Sequence, residues 1–553
     1  MRYYVTTPIY YVNADPHLGH AYTTIAADIL ARFHRQCGDD VFFLTGTDEH
    51  GNKVAQAAQE LGRTPKEHCD IVAAKFRALT GQLEASNDFF IRTTDPEHEA
   101  FVQEFVEKLR AAGDIEKRTY GGLYCTACEG FYYERDLVDG KCPIHHSEPV
   151  WLEEENYYFL LSKYQERLAD HYRANPDWVK PKSRYNEALS FIEQGLDDIS
   201  ISRQSIAWGV PVPWDPDQVI YVWVDALINY LSALTYARPG RDLSGYWPAH
   251  HIMAKDILKF HAVIWPALLM SAGYELPKEE LIHGYLLMGG EKMSKTRGNV
   301  LDPFAVMDTY GIDPLRFYLF REVAFGQDGV ISLEGFAARY TNELANELGN
   351  LVSRTVSMVT KYRGGVTPAA CSASSGGKAA SGEPASGASG DDVSTLAEDG
   401  AAMVAACKAC FEESDIGGAL EVVWEFVRRL NRYVEEQAPW RLAKEEAQAA
   451  RLDQVLHDLV AGSRLVALCL YPVMPGACVE ILRRLGQSTE PADLSYERAV
   501  WEALEVAPVH KAPPLFPRID MPPGGSGEAR SAAGRPPDVP QASAGADHLP
   551  ATG

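Results

Sequence analysis

Two histidines near the start of the chain have a spacing suited to binding phosphate. His17 and His20 follow a short Asn/Asp/Pro loop and open a helix that we predict over residues 21–35. The N-terminus of a helix offers backbone N–H groups and the positive end of the helix dipole, and both favour a phosphate. Side chains three residues apart share one helix face, so both imidazoles can donate to the same phosphate group. Gly19 leaves space there for the close approach of a planar ring.

A second group of residues suited to phosphate chemistry lies much later in the chain. Gly289 and Gly290 precede a segment that carries Lys292 and Lys295. Two such lysines can bind a polyphosphate and neutralise the negative charge that grows as pyrophosphate leaves. Taken singly, the histidine pair also fits structural histidines, and the lysine segment also fits a solvated basic loop. Together, the two motifs favour a nucleotide site.

These motifs belong to regions in which predicted strands and helices alternate. Apolar strands are predicted at residues 2–7, 41–45, 89–91, 219–224, 251–254 and 281–287, and helices at 21–35, 53–61, 66–84, 96–112, 226–236 and 257–272. This alternation predicts an α/β fold with a doubly wound, Rossmann-like parallel sheet. Ligands of such sheets bind at the carboxyl ends of the strands, and Asp48 follows one of these ends.

The alternation is interrupted once and later ceases. Short polar, aromatic and Cys-bearing segments from residue 115 predict an inserted domain, and only helical patterns remain beyond residue 333, which predicts an α-helical bundle. The predicted domains are a catalytic domain in two halves (1–114 and 219–332), an inserted connective domain with a zinc knuckle (115–218), a helical domain (333–520) with a flexible Gly/Ser/Ala-rich insertion (367–394), and a disordered tail (521–553).

Two pairs of candidate metal ligands lie within the inserted domain. Cys125 and Cys128 form one pair, and Cys142 and His145 form the other. Pairs with this spacing can close a tetrahedral Zn²⁺ site, and four protein ligands make such a site structural rather than catalytic. His146 is an alternative fourth ligand, because the sequence does not distinguish neighbouring histidines.

Composition limits the location and the partners of the protein. The chain has 553 residues and a formal net charge of −24, so we expect any RNA to bind through local basic patches. It has neither a signal peptide nor an apolar run of about eighteen residues, so no membrane span is expected. The ten cysteines form no regular disulfide framework. Reduced thiols and a cytoplasmic location are therefore expected.

The histidine and lysine motifs together resemble the signatures of one enzyme family. Pro-His-Leu-Gly-His at residues 16–20 is similar to the "HIGH" signature of class I aminoacyl-tRNA synthetases, and Lys-Met-Ser-Lys-Thr at 292–296 to their "KMSKS" signature. Thr296 replaces the final serine and keeps a hydroxyl group. The segments that resemble methionyl-tRNA synthetases in particular are residues 6–20, 45–51, 221–230, 255–266 and 431–440. The resemblance extends to about residue 520 and is to the single-knuckle bacterial type without a C-terminal dimerisation domain.

This resemblance implies two neighbouring substrate sites. By position, the methionine site comprises Ile9, Tyr11, Asp48, Trp223, Ala226, Leu227, Tyr230, Ile257 and His261, with Leu227 where some members have proline. Asp48 would hold the ammonium group, and the aromatic residues suit a polarizable thioether. The ATP site comprises His17, Gly19, His20, Lys255, Asp256, Lys292, Ser294, Lys295 and Thr296, with Mg²⁺ on the nucleotide. Arg203 aligns with a family arginine near the active site.

The resemblance also implies that the helical domain reads tRNA. Asn350, Arg354 and Trp440 match the residues that recognise the CAU anticodon, with Trp440 stacking on a base and the other two binding base edges. A basic stripe, which either contacts RNA phosphates or forms a solvated face, consists of Arg428, Arg429 and Arg432.

The expected activity is ligation of L-methionine to tRNA(Met) in translation, including initiation. Methionine would attack ATP to form an adenylate, with His17, His20, Lys292 and Lys295 as the catalytic residues. The alternatives are another class I synthetase, a small adenylyltransferase and a non-catalytic RNA-binding relative. The leucine, isoleucine and valine enzymes carry an editing domain that an insertion of roughly a hundred residues cannot hold. Since no dimerisation domain is recognised, a monomer is expected.

Overall fold

The computed structural model describes residues 1–125, 130–132, 134–143, 146–204, 206–288, 291–292, 303–370 and 391–518. The chain forms two compact units, Met1–Pro517 and Arg518–Gly553, and only Arg518 of the second unit is among the described residues. The predicted features that lie outside the described residues are Cys128, His145, Ser294, Lys295, Thr296, most of the insertion 367–394 and the tail 521–553.

Strands and helices are numbered along the chain. The strands are β1 (Arg2–Thr6), β2 (Tyr10–Tyr11), β3 (Asp40–Asp48), β4 (Phe89–Arg92), β5 (Ile115–Cys125), β6 (Gly130–Tyr132), β7 (Val150–Phe159), β8 (Val179–Lys180), β9 (Ile199–Ser200), β10 (Ser202–Arg203), β11 (Pro211–Val212), β12 (Asp215–Ile220), β13 (His250–Ala254), β14 (Glu279–His283), β15 (Leu286–Met288), β16 (Glu291–Lys292) and β17 (Gly329–Ile331). The α-helices are α1 (Leu18–Gln36), α2 (Asn52–Glu60), α3 (Pro65–Gln82), α4 (Pro96–Ala111), α5 (Gln165–Ala174), α6 (Lys182–Glu193), α7 (Val222–Tyr236), α8 (Trp265–Ala272), α9 (Pro303–Tyr310), α10 (Ile312–Glu322), α11 (Leu333–Arg339), α12 (Asn350–Arg363), α13 (Asp391–Glu412), α14 (Ile416–Gln437), α15 (Pro439–Leu442), α16 (Ala449–Leu470) and α17 (Pro475–Arg484).

The central sheet is parallel, as the alternation of strands and helices predicts. Its strand order is β2-β3-β1-β13-β14-β8, and β4 also pairs with β3. Apolar residues of β1 and β3 are buried, as expected for strands covered on both faces. β1 lies between β3 and β13, so the strands that follow it in the chain lie on both sides of it. In such a sheet a crevice forms at the carboxyl ends of the strands, where the connections diverge.

The inserted segment is more regular than its sequence predicts. β5 and β7 form a long antiparallel pair from Ile115–Phe159 to Tyr124–Val150, and β6 and β9 complete a sheet of order β6-β5-β7-β9. The glycines and polar residues of this segment weaken the alternating pattern from which strands are predicted. The short segments recognised in the sequence from residue 115 thus belong to one sheet.

The region after β17 is helical, as predicted. A stripe of buried apolar residues along α14, which includes Leu420, Val423, Trp424 and Val427, packs against α13 and α16. A π-helix at Tyr340–Gly349 lies between α11 and α12. α13 begins at Asp391, before the predicted end of the flexible insertion. In the described part of the chain, no helix is both long and apolar enough to cross a membrane.

Three predicted boundaries near the crevice are corrected. β12 ends at Ile220 and α7 begins at Val222, because the Tyr221 carbonyl accepts hydrogen bonds from the Val224 and Asp225 amides. Trp223 therefore lies in the first turn of a helix and not on a strand.

The other two corrections concern the predicted helix 257–272 and strand 281–287. The helix contains a π-helix at Phe260–Ile264 before α8, and Pro266 in the first turn of α8 has no N–H to continue a regular ladder. The strand is divided into β14 and β15 at Gly284. A Cβ on Gly284 would lie 2.3 Å from the Gln327 backbone, so glycine permits this close approach.

Candidate active site

A cavity of about 1370 Å³ opens at the carboxyl ends of β1, β3, β13 and β14. The loops after these strands form its walls, as expected for a doubly wound sheet. The predicted residues that line this one cavity are Ile9, Tyr11, His17, Gly19, His20, Asp48, Arg203, Trp223, Ala226, Leu227, Tyr230, Asp256, Ile257 and His261. The fold thus brings together residues as far apart in the sequence as Ile9 and His261.

His17 and His20 form a cap on the first turn of α1. The His17 Nδ1 accepts a hydrogen bond from the Gly19 amide at 3.1 Å, and the His20 Nδ1 accepts one from the His17 amide at 3.1 Å. The two rings are stacked with their centroids 3.7 Å apart. In a neutral imidazole whose Nδ1 accepts, the proton is on Nε2. The cap therefore selects the tautomer in which each Nε2 is a donor, as phosphate binding requires.

Tyr230 and His261 form a buried pair in the wall of the cavity. The Tyr230 hydroxyl lies 2.8 Å from the His261 Nε2, and the His261 Nδ1 lies 3.2 Å from the Ile257 carbonyl oxygen. Burial lowers the pKa of His261 to about 4, so the ring is neutral near pH 7. Since a carbonyl only accepts, Nδ1 carries the proton and Nε2 accepts from Tyr230. The tyrosine hydroxyl is thereby held in one orientation.

Trp223 and Phe260 form an aromatic wall of the cavity. Their ring centroids are 3.9 Å apart and their planes differ by 7°. Phe260 was not among the predicted site residues, although it lies within the segment 255–266 that resembles the family. It precedes His261 directly, and that adjacency to a predicted pocket residue is the signal that identifies it.

Asp48 ends β3 and faces the cavity from the sheet. It pairs in register with Tyr11 of β2, and it is 8% exposed. A carboxylate buried to this extent on a cavity wall is suited to bind a cation, because an ionised group that leaves water needs an opposite charge.

Lys255 and Arg203 contact other protein groups. The Lys255 Nζ lies 2.6 Å from the Asp328 carboxylate and 4.5 Å from the centre of the Tyr285 ring, and Lys255 does not line the cavity. The Arg203 guanidinium lies 4.3 Å from the centre of the Tyr221 ring and donates to the Ser202 carbonyl at 2.7 Å. Arg203 therefore reaches the cavity, whereas Lys255 is directed towards the loop that precedes β17.

The lysine motif is only partly described. Lys292 lies on β16, which pairs with β15, and β15 in turn pairs with β17. The predicted nucleotide contacts of Ser294, Lys295 and Thr296 fall on residues outside the described ranges. β15 follows β14 after two residues, and Leu286 of β15 lines the cavity.

The structure brings together two of the four predicted zinc ligands. The Cys125 Sγ lies 3.4 Å from the Ser147 hydroxyl, and the Cys142 amide donates to the Ser147 carbonyl at 2.9 Å. Both cysteines are buried. The described residues contain no group of three or more His, Cys, Asp or Glu arranged to hold a metal, but Cys128 and His145 are not among them. Placement of both cysteines around Ser147 fits a shared metal site.

The predicted anticodon residues lie around the junction of α12, α14 and α15. Arg354 forms an ion pair with Glu435 at 2.6 Å, and Asn350 is exposed one turn earlier on α12. α14 ends before Ala438, which has a φ of 42°. Trp440 lies two residues further on and is 38% exposed. An exposed tryptophan is suited to stack on a base.

The basic stripe of α14 is largely neutralised within the protein. Arg428 lies within 4.0 Å of carboxylates of Glu343, Glu347 and Glu421. Arg429 pairs with Asp399 and Glu436, each at 3.3 Å. Of the two interpretations of this stripe, the structure favours a solvated face with internal ion pairs.

Comparison with known proteins identifies the family. The family model described as tRNA synthetases class I (M) matches residues 3–149 and 133–356. The chain is 43% identical over 527 residues to the methionine–tRNA ligase of Caldanaerobacter subterraneus, across 94% of this chain and 79% of that protein. It is 44% identical over 540 residues to the methionine–tRNA ligase of Streptomyces coelicolor, across 94% of this chain and 97% of that protein.

A solved structure supports the same relationship. Mycobacterium tuberculosis methionyl-tRNA synthetase in complex with methionyl-adenylate matches with a TM-score of 0.86 and 42% identity, across 93% of this chain and 99% of that one. Proteins can share a fold at a much lower sequence identity than this, so the match indicates more than a common fold. The chain therefore belongs to the methionine–tRNA ligase family of class I aminoacyl-tRNA synthetases.

Proposed function

We propose that this chain activates L-methionine with ATP and transfers it to the 3′-terminal adenosine of tRNA(Met), including the initiator, as a methionine–tRNA ligase. The observation that carries the proposal is one cavity that is lined by the His17–His20 helix start, by Asp48 and by the Tyr230–His261 pair. One end of the cavity is suited to phosphate and the other to an amino acid with an apolar side chain. Such a cavity can hold both substrates of an adenylation in contact.

In the first step, a carboxylate oxygen of methionine attacks the α-phosphorus of ATP. A new O–P bond forms, the bond from the α-phosphorus to the bridging oxygen breaks, and pyrophosphate leaves. No protein nucleophile takes part, so the residues act by positioning and by stabilising charge. His17 and His20 donate from Nε2 to the phosphates, and Mg²⁺ enters with ATP. Lys292 and Lys295 neutralise the departing pyrophosphate.

The amino-acid end holds methionine in one orientation. Asp48 binds its ammonium group, since a buried carboxylate and an ammonium neutralise each other. Ile9, Ala226 and Leu227 bury the side chain, and the aromatic residues contact the thioether, which interacts favourably with ring edges. In the second step, the 2′-hydroxyl of the terminal adenosine, as in class I enzymes, attacks the methionyl carbonyl, and AMP leaves.

The remaining site residues are proposed for ATP, zinc and tRNA. Lys255 and Asp256 lie beside the nucleotide, and Ser294 and Thr296 bind ATP together with the lysines. Cys125, Cys128, Cys142 and His145, or His146 in its place, would hold one structural Zn²⁺ that closes the tip of the β5–β6 hairpin. Asn350, Arg354 and Trp440 would read the CAU anticodon.

Metal content tests the zinc proposal separately. One equivalent of zinc is expected in the wild-type protein and none in Cys125→Ser.

The domain limits, the monomeric state and the cytoplasmic location also stay proposals. None of the described cysteines forms a disulfide, which supports a reducing location. Light scattering at micromolar concentration tests the monomer, and a dimer would contradict it.

Formation of methionyl-tRNA tests the proposed function. Purified protein with methionine, ATP and a tRNA(Met) transcript is expected to give an alkali-labile methionyl ester, and a transcript with an altered anticodon is expected to react much more slowly. The variant Lys295→Ala is expected to lose ATP–pyrophosphate exchange while methionine still binds. No ester with the CAU transcript would overturn the proposal.

A further inference from the structure

A cluster of buried polar side chains lies behind the cavity and is not part of its lining. His50, His98, Asp225 and Ser232 are each at most 3% exposed. They belong to three elements: the loop after β3, the helix α4 and the helix α7. Burial of so many polar groups is costly unless each is hydrogen-bonded, so their arrangement is informative.

The four side chains form one continuous chain of hydrogen bonds. The His50 Nδ1 donates to the Asp225 Oδ2 at 2.7 Å, and the His98 Nε2 donates to the Asp225 Oδ1 at 2.8 Å. A carboxylate only accepts, so both of these ring nitrogens carry protons. The His98 Nδ1 lies 2.7 Å from the Ser232 hydroxyl. Both oxygens of Asp225 are therefore directed at partners that belong to other elements.

The chain of hydrogen bonds contains a buried ion pair. Burial by itself lowers the pKa of His50, but the charge of Asp225 and its hydrogen bond outweigh burial and raise this pKa to about 10. The other charged groups that face His50 are Glu99, whose Oε1 lies 3.7 Å from its Nε2, and Asp48. Burial likewise opposes ionisation of Asp225, yet His50 and His98 lower its pKa to about 2. Histidinium and carboxylate therefore coexist near pH 7.

The helix α7 connects this chain to the cavity, because its two faces have different roles. Trp223, Ala226, Leu227 and Tyr230 line the cavity. Asp225 and Ser232 lie on the opposite face, towards α4 and the loop after β3. Apolar packing alone tolerates a small rotation of a helix about its axis, whereas two short hydrogen bonds to one carboxylate do not. The back face of α7 thus fixes the orientation of its cavity face.

The loop after β3 is joined to the cavity in the same way. His50 follows Asp48 by two residues, and between them Glu49 accepts both guanidinium donors of Arg92 at 2.7 and 2.8 Å. The Trp208 indole donates to the Glu49 carbonyl at 2.6 Å. Consecutive residues of this loop are therefore anchored behind the cavity while Asp48 faces it.

We propose that His50, Asp225 and His98 are positioning residues of the amino-acid site. Their hydrogen bonds hold the Asp48 loop against α7, so that the carboxylate proposed to bind the ammonium group and the side-chain pocket keep a fixed separation. An amino acid is recognised at both of these points, so a change in their separation weakens its binding. The inference rests on the proposed function, since it assigns these residues to the methionine end of that same cavity.

The expected signature is a change in methionine binding with little change at the nucleotide end. The network contacts the walls proposed for methionine, whereas His17 and His20 are held by their own helix cap. A loss of positioning weakens binding of the ground state and of the transition state alike, so KM for methionine rises more than kcat falls. A general loss of stability does not change KM for methionine more than KM for ATP.

The experiment measures ATP–pyrophosphate exchange and thermal unfolding of the full chain. Asp225→Asn and His98→Ala are expected to raise KM for methionine by about tenfold or more, since each leaves a buried partner unsatisfied, with KM for ATP within about twofold. His98→Gln, whose amide can still donate to Asp225, is expected to restore most of the affinity. Asp114→Asn is the matched control, because Asp114 is a buried carboxylate with three side-chain donors and does not line the cavity.

The outcomes separate this inference from the proposed function. A rise in KM for methionine in Asp225→Asn or His98→Ala, without the same rise in Asp114→Asn, supports the positioning role. An unchanged KM in folded variants overturns it. If Asp225→Asn and His98→Ala fail to fold, Ser232→Ala is the second test: it removes the hydrogen bond to His98 and a longer one, at 3.3 Å, to the Asn229 carbonyl of its own helix. This variant is expected to raise KM for methionine about threefold, and an unchanged value overturns the inference. A wild-type protein without methionine-dependent exchange would instead overturn the proposed function.

Discussion

The two ends of the cavity, proposed for the amino acid and for the nucleotide, are built in different ways. At the amino-acid end, Asp48, Tyr230 and His261 are buried, and side-chain hydrogen bonds between distant segments hold the wall. At the nucleotide end, His17 is exposed and is held mainly by the first turn of its own helix. The difference teaches that the site proposed for the amino acid depends on tertiary contacts, whereas the site proposed for phosphate depends on a local motif.

The largest effect is expected at the nucleotide end. His20→Ala removes a donor proposed to stabilise the transition state and is expected to lower kcat of pyrophosphate exchange by about 10²-fold or more, with methionine affinity within about twofold. His17→Asn keeps a side chain that can cap the helix but loses the imidazole, so exchange is expected to fall without a loss of stability. Exchange kinetics and thermal unfolding measure both effects. His34→Ala, at the other end of α1, is the control, and a normal rate in His20→Ala would contradict the role.

A comparable effect on binding alone is expected at the amino-acid end. Asp48→Asn removes the buried carboxylate proposed to pair with the ammonium group. It is expected to raise KM for methionine about 100-fold, which corresponds to about 3 kcal/mol, and to leave KM for ATP nearly unchanged. Calorimetric titration with methionine measures the effect without catalysis. Equal losses of affinity for both substrates would mean that the two ends are not separate.

A smaller effect is expected from the tyrosine that orients the pocket. Tyr230→Phe leaves the buried His261 Nε2 without its donor and is expected to raise KM for methionine about tenfold. Tyr433→Phe is the matched control, because its hydroxyl donates to the buried Asp458 at 2.8 Å in the helical region, far along the chain from the cavity. Exchange kinetics of the two variants at equal temperature give the comparison. Equal KM values would contradict a specific role of Tyr230.

The smallest effect concerns the dependence of folding on pH. The pKa of His50 is raised to about 10, so the stabilisation that it gives is fully present below about 6.5 and is lost as pH rises through about 10. The difference in melting temperature between the wild-type protein and Asp225→Asn is therefore expected to shrink from pH 6 to pH 10. The corresponding difference for Asp114→Asn is expected to stay constant, because the pKa of Asp114 is lowered and its carboxylate is ionised throughout. A difference for Asp225→Asn that does not change with pH would exclude a charged His50.

The same contrast explains how much the sequence predicts. His17, Gly19 and His20 act within one turn, so the local motif predicts their geometry, and the alternation of strands and helices predicts the parallel sheet. The contact between His50 and Asp225 joins residues 175 positions apart and carries no local signal. The sequence likewise gives no sign that Lys255 pairs with Asp328.

Errors in the boundaries also have physical causes. The start of α7 was misplaced because Tyr221, Val222 and Val224 have strand propensity, and tertiary burial of the helix outweighs that preference. The sheet of the inserted segment was missed because its pairing of β5 with β7 is non-local and its sequence is rich in polar residues. Local propensity thus fails where long-range contacts decide the structure.

ATP–pyrophosphate exchange, measured with each of the common amino acids in turn, tests the central claim most directly. The account predicts rapid exchange with methionine and rates lower by several orders of magnitude with leucine, isoleucine, valine and cysteine, because of these amino acids only methionine has a thioether for the proposed aromatic wall when its ammonium group is at Asp48. Exchange that is as fast with another of these amino acids, or no exchange with any of them, would contradict it.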